Sequence, residues 1–210
     1  VCNFTYTQGK WGLDEHKEAE WEDFRRVIEE YRAEVGTRKN QNPTDLIRVL
    51  RFREGKYHSN LLRFGLIPSW FDPARHRKTV NTQARSETIE TLPSFRDAFA
   101  TRRCIVVIDG FYEFPQRVKT SISRVDGQPL LIASIWERWE SPEGEVVESV
   151  AMVTTEPTDW MRPYQDRQPL FLEPWEVPTW VEGTVAEARS LLRVSQVELK
   201  ADPPAGETLF

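Results

Sequence analysis

Five short runs rich in branched and aromatic residues, at 46–52, 57–66, 104–108, 129–136 and 146–155, constrain this chain more than any other feature. Each is bounded by turn chemistry: Glu54-Gly55 joins the first two into a predicted hairpin, and Gly127 and the 141–144 loop punctuate the later ones. Such runs fit a pleated, half-buried surface and are too short for ordinary helices. The segment 104–108, CIVVI, is apolar throughout, which suits a strand buried on both faces.

Helical signals are fewer and stand apart from the strands. Between 14 and 35, Trp21, Phe24, Ile28, Tyr31 and Val35 step by three or four residues, and Gly36 supplies a stop. Pro93 and Ser94 open a short helix through Ala100, and a last helix is expected over 184–192. The ending ADPPAGETLF, roughly from residue 200 to 210, has the composition of an extended tail. Strands with segregated helices define an α+β fold built around antiparallel sheet. At 210 residues, with 39% hydrophobic residues, eight Trp and eleven Phe, the chain has material for one domain, 1–210, with one core.

No apolar run reaches the roughly 18 to 20 residues needed to span a bilayer, and the start VCNFTYTQGK lacks the pattern of a secretory signal. A cytoplasmic, nucleoid-associated monomer with no membrane contact is expected. Cys2 and Cys104 are too few and too far apart for a metal knuckle or a disulfide framework, so no metal and no cofactor are expected. The net charge of −5 has the wrong sign for phosphate binding, so any nucleic-acid contact must be local. Arg75, His76, Arg77, Lys78 and Arg85 do fall in one stretch, while acids concentrate in 14–30 and 143–148.

Several segments carry candidate chemistry beside a plain structural alternative. Cys2 becomes a 1,2-aminothiol if residue 1 is removed, and such a group closes on an aldehyde to a five-membered thiazolidine. On position alone, an inert near-terminal cysteine is the commoner case. Glu113 follows a buried strand among Phe111, Tyr112 and Phe114, where burial would raise its pKa and suit it to general acid–base work. A strand-end glutamate paired with an arginine explains the same pattern. In VNTQARSET, an extended backbone puts Gln83, Arg85 and Glu87 on one face, near Asn81; arginine can clamp a phosphate, and an Arg–Glu structural pair is the alternative. In GLIPSWF, Trp70 and Phe71 are aromatic faces for unpaired bases if exposed, and core residues if not.

These segments occur together and in a particular order, and so the chain resembles the SOS response-associated peptidase family. That family's features are Met-Cys-Gly-Arg, Asn-x-x-Pro, Gly-Leu-Ile-Pro-x-Trp, Asn-Ala-Arg-x-Glu-Thr, Asp-Gly-Phe-Tyr-Glu-Trp and His-Asp-Arg-x-Pro. Here they read Val1-Cys2-Asn3-Phe4, 40–43, 65–70, 83–88, 109–114 and 165–169, and the resemblance runs to about Leu172. It implies one α+β domain with a twisted, barrel-like antiparallel core. It further implies a cleft for single-stranded DNA near the amino terminus, self-removal of residue 1, and covalent capture of the aldehyde of an abasic site.

Carried over by the resemblance, Cys2 is the nucleophile and crosslinking residue, and Glu113 the acid–base carboxyl. Arg85, Trp70, Phe71, Thr154 and Asn40 would line the DNA. Gln83 stands where the family has its catalytic-site asparagine, with Asn81 two residues away as a substitute, and Gln165 stands for the active-site histidine. Glutamine donates and accepts hydrogen bonds but does not titrate near neutral pH. Asn3 and Phe4 replace Gly-Arg, removing a cation from the entrance. While Val1 remains, the Cys2 nitrogen is an amide and cannot form a thiazolidine. Three readings therefore stay open: an abasic-site crosslinker, a non-covalent single-strand-binding module that has lost its chemistry, and a thiol amidohydrolase.

Overall fold

The computed structural model describes residues 18–34, 42–76 and 81–202. Strands β1 (Leu46–Arg53) and β2 (Lys56–Phe64) form the expected hairpin. Strand β3 (Gln83–Arg85), helix α2 (Arg96–Thr101), β4 (Arg103–Ile108), β5 (Gly110–Glu113) and β6 (Thr120–Arg124) follow. Next come β7 (Leu130–Glu140), β8 (Val146–Thr155), β9 (Gln168–Pro169), β10 (Phe171–Leu172), α3 (Val177–Val181), α4 (Val185–Ser190) and β11 (Leu199–Asp202). An amino-terminal helix, α1 (Glu18–Glu34), precedes them all.

The pairings close a ring. β1 pairs β2, β2 pairs β8, β8 pairs β7, β7 pairs β4, and β4 returns to β1. All of these are antiparallel except β2 with β8, which is parallel. The α+β class with a barrel-like core is thus what the chain adopts.

Alternation along the ring strands divides the core in two. One cluster joins Leu50, Ile105, Val107, Ala133, Ile135, Ala151 and Val153 to Phe24 of α1, Phe99 of α2, Trp180 of α3 and Ala188 of α4. Helices cannot fit inside so narrow a barrel, so this face is the outside. The other cluster, Ile47, Val49, Leu62, Cys104, Val106, Leu130, Ile132 and Val150, fills the interior. Cys104 is wholly buried there, and burial pushes its thiol pKa far up.

The interior is apolar at one end and charged at the other. Arg51, 5% exposed, lies 2.9 Å from Glu148, takes Asn60 Oδ1 on its Nε, and sits over the Trp136 ring. A buried guanidinium needs such partners, because an unpaired charge there would cost several kcal/mol.

Trp180 pins α3 to the barrel by donating its indole N–H to the carbonyls of Cys104 and Ser134. Helix α4 begins at a capping box in which Thr184 Oγ1 accepts from Glu187 N and the Glu187 carboxylate accepts from Thr184 N. Helix α1 packs on β2 through Phe24 against Tyr57, and the Tyr57 N–H donates to Asp23.

Several boundaries differ from the sequence reading. Strand β7 runs to Glu140 rather than ending at Trp136, because its ladder with β8 continues through Glu140 opposite Val146, and Glu137 and Trp139 find side-chain partners in Arg102 and the Phe71 carbonyl. The expected helix over 184–192 is shorter, with Thr184 as its cap, and α2 starts at Arg96. Ala201 and Asp202, expected in a tail, complete strand β11 against β6. The helix predicted over 14–35 is present at Glu18–Glu34; residues 14–17, Val35, Gly36 and the Trp21 and Tyr31 side chains lie outside the described residues.

Candidate functional site

Strand β4 leaves the barrel at Asp109 and turns into β5, which belongs to a second sheet ordered β11-β6-β5. The transfer requires glycine at 110: a Cβ there would come within 2.5 Å of the Ile122 carbonyl oxygen. From this close approach β5 runs in register with β6, pairing Phe111 with Ile122 and Glu113 with Thr120. Phe111 stacks on Phe171, which anchors β5 to the barrel and sets Glu113 on the same side of the strand.

Glu113 is partly buried, and desolvation raises its pKa, as its setting in the sequence suggested. Two neighbours modulate this. The Gln165 Nε2 donates to its Oε2 at 3.2 Å, which favours the ionised form, and the charge of Asp166 favours the neutral one. Gln165 Oε1 accepts the Asp166 N–H, so the amide is turned with its nitrogen toward the carboxyl.

The same short segment ties the second sheet to the strand ends of the barrel. Arg167 makes a two-pronged ion pair with Glu87, at 2.7 and 2.9 Å, and also donates to the Thr154 carbonyl. Thr154 is buried on β8, in register with Arg85 on one side and Pro169 on the other. Hydrogen bonding to Arg167 holds the Glu87 carboxyl below its ordinary range. Glu113, Gln165, Arg167, Glu87, Thr154 and Arg85 are therefore linked by contacts or strand register. The sequence reading missed Arg167, although it lies in the 165–169 segment and its charge was the available signal.

β3 alternates as expected: Ala84 is buried between exposed Gln83 and Arg85. Among the described residues no acid pairs with Arg85, so the Arg–Glu alternative for this segment falls to Arg167 instead. Asn81 bridges to Leu66 and donates its amide to the Leu66 carbonyl. That bond holds the chain where Gly65, at φ 111°, turns it away from β2, and it uses one of the two amide hydrogens of Asn81.

Trp70 is 47% exposed and hydrogen-bonded to the Pro93 carbonyl. His76 meets its ring edge-on, while Phe71 packs on Trp139. Trp70 thus presents an accessible ring, and Phe71 has a partly structural role. Arg75 of the expected basic stretch is paired with Asp72; Arg77 and Lys78 lie outside the described residues, as do Val1, Cys2, Asn3, Phe4 and Asn40. Among the described residues, no group of three or more His, Cys, Asp or Glu is arranged to hold a metal, and no helix is long and apolar enough to cross a membrane.

A small barrel carrying a half-buried carboxyl, an oriented amide, an exposed tryptophan and an exposed arginine with no acid partner among the described residues defines the class, an α+β protein with polar side chains gathered near its strand ends. The profile of the family described as SOS response associated peptidase (SRAP) matches residues 9–203, and the chain belongs to that family. It is 34% identical over 130 residues to the abasic site processing protein YoqW of Bacillus subtilis, covering 57% of this chain and 55% of that protein. It is 31% identical over 165 residues to the abasic site processing protein HMCES of Xenopus tropicalis, covering 65% and 49%. The chain thus spans about half the length of these relatives.

Among solved structures, a Bordetella bronchiseptica protein aligns with a TM-score of 0.70 at 29% identity, covering 78% of this chain and 85% of that one. A Bacteroides thetaiotaomicron protein aligns at 0.71 and 23% identity, covering 85% and 83%, a likeness of fold alone.

Proposed function

We propose that this chain processes abasic sites in DNA, and that it does so by binding the single strand and capturing the sugar aldehyde covalently through Cys2. The names of its relatives support the abasic site as substrate. The observation that carries the chemistry is the half-buried Glu113 carboxyl with Gln165 fixed against it. A carboxyl of raised pKa holds a proton nearer neutral pH than an exposed one does, and so can give it to a departing oxygen.

Water first cleaves the bond between residue 1 and Cys2, freeing the amine. Glu113 protonates the ring oxygen of the abasic sugar as the bond from that oxygen to C1 breaks, and the C1 hydroxyl gives its proton to water, leaving the aldehyde. The Cys2 amine adds to the carbonyl carbon and water leaves, giving an imine. The Cys2 sulfur then adds to that carbon while its proton passes to nitrogen, closing the thiazolidine. Arg85 and Trp70 hold the strand, the first by phosphate attraction and the second by stacking. Gln83 and Thr154 line the cleft beside them.

The test is incubation with a single-stranded oligonucleotide carrying one abasic site, followed by denaturing electrophoresis, with intact mass reporting whether the chain begins at Cys2. A shifted band that disappears in Cys2→Ala supports capture. A non-titrating glutamine at 165 favours the second reading, a non-covalent single-strand binder, which predicts binding without a shifted band. Absence of both overturns the proposal and leaves a thiol amidohydrolase.

A further inference from the structure

Strand alternation gives the β11-β6-β5 sheet an inner face, with Phe111, Glu113, Thr120 and Ile122, and an outer face that carries Tyr112, Ser121 and Ser123. The outer face is not the usual polar surface. Tyr112 is 44% exposed and Phe114 59%, and Val118 is also exposed. Lys119 Nζ stands 3.9 Å from the centre of the Tyr112 ring. Ser121 and Ser123 continue the face on β6, in register with Asp202 and Lys200 on β11.

The charges around these rings are unusual for this chain. In a protein of net charge −5, most described arginines are committed to acids: Arg51 to Glu148, Arg102 to Glu137, Arg124 to Asp126 and Glu173, Arg167 to Glu87, Arg189 to Glu90. Arg117 and Lys119, at the turn joining β5 to β6, form no ion pair with any described acid. Gln116 and Arg117 hold positive φ, 51° and 69°, in succession. Non-glycine residues keep that conformation where surrounding structure or function requires it.

We infer that this face is a stacking platform for unpaired nucleotides, continuing the path of a single strand beyond Glu113. The inference rests on the proposed function. Exposed rings attract any apolar partner; exposed rings interleaved with cations that no described acid neutralises select a polyanion that offers flat faces, which is single-stranded nucleic acid. Position supplies the direction, because Phe114 follows Glu113 directly and the turn bearing Arg117 and Lys119 lies just beyond. Asp202 marks the opposite limit, since its carboxylate repels phosphate at the β11 edge. The strand passes Glu113, rounds the β5 edge of the sheet and crosses Tyr112 and Phe114 toward the Arg117–Lys119 turn.

The experiment compares undamaged oligothymidylates of about 5 and about 15 nucleotides, lengths within and beyond one binding site of this kind. Fluorescence anisotropy gives the affinities. Wild type is expected to bind the longer strand more tightly, and Tyr112→Ala with Phe114→Ala to lose roughly tenfold on it and little on the shorter. Tyr112→Phe with Phe114→Tyr should keep the affinity. Arg117→Ala with Lys119→Ala leaves the sheet intact and should reduce the slope of log affinity against log salt by about 1.4, two phosphate contacts' worth. Capture of an abasic site in the short strand should be unchanged in every variant. Wild-type affinity and salt slope in both sets of variants would overturn the platform while leaving abasic-site capture standing. A wild-type protein that neither binds nor captures would remove both.

Discussion

Gln165 and Glu113, 52 residues apart in sequence, meet side chain to side chain at 3.2 Å, the amide of one donating to the carboxyl of the other. The contact joins the second sheet to the segment leaving β8, so it is both a tertiary tie and an electrostatic control. A neutral donor favours the carboxylate without adding charge, whereas desolvation and Asp166 push the other way. Burial raises the proton affinity of Glu113, and glutamine in this position partly offsets that rise without titrating itself.

Replacing that donor should move the balance in one direction. In Gln165→Met, which keeps length and loses the N–H, the Glu113 pKa is expected to rise further. The limb of the pH–rate profile for adduct formation that reports Glu113 should shift to higher pH, with DNA affinity at pH 7 little changed. An unshifted limb would separate Glu113 from the proton-transfer step.

Glu113→Gln should slow adduct formation by roughly 10²-fold or more while leaving single-strand affinity within a few-fold, since the amide keeps the shape but not the proton. The same variant bears on stability. A carboxyl whose folded pKa is raised above its unfolded value costs stability when ionised, and the cost vanishes below the ordinary carboxylate range. The variant should therefore melt higher than wild type at pH 7, by roughly 1–3 °C, with the gap closing toward pH 3. Equal loss of binding and capture would refute the catalytic assignment.

Much of this site was legible in the sequence, and the part that was not has a physical reason. Runs rich in branched and aromatic residues mark the ring strands, and Phe111, two residues before Glu113 and so on its side of the strand, announces a desolvated carboxyl. Strands β5 and β6 are harder to read. GFYE and TSISR are short, and each derives its order from pairing: Gly110 must approach Ile122, and Phe111 must reach Phe171. Arg167 was overlooked because its partners, Glu87 in the turn after β3 and Thr154 on β8, are distant in sequence and are brought together only by the pairing of β3 with β8. Asn81 illustrates the reverse, a residue with suitable chemistry one of whose amide hydrogens is given to the Leu66 carbonyl.

Gly110→Ala tests the link between backbone and site. With a Cβ forced onto the Ile122 carbonyl, β5 must shift against β6 and carry Glu113 with it. The expected outcome is destabilisation by about 1–3 kcal/mol together with a loss of capture larger than the loss of folded protein at the assay temperature. Denaturant melts and crosslinking yield on the same preparation measure both; full capture by a folded variant would show that β5 has room to adjust.

Arg167 should matter more for stability than an exposed ion pair does. Its side chain is 17% exposed, its Nε is buried without a hydrogen-bond partner, and its other donors serve Glu87 and Thr154. Arg167→Ala is expected to cost roughly 1–3 kcal/mol at pH 7, mostly through the Thr154 carbonyl and the packing, because half-exposed Glu87 is partly screened. Arg167→Lys should recover only part, since an ammonium cannot hold both carboxylate oxygens and a carbonyl in one plane. The ion-pair share has a definite pH signature. Glu87 is held below the ordinary carboxylate range, so this share is complete above that range and disappears as pH falls through the lowered pKa. The difference in melting temperature between wild type and Arg167→Ala should therefore narrow in acid to a residue set by the Thr154 contact; a difference independent of pH would mean that Glu87 contributes nothing to holding Arg167 against the barrel.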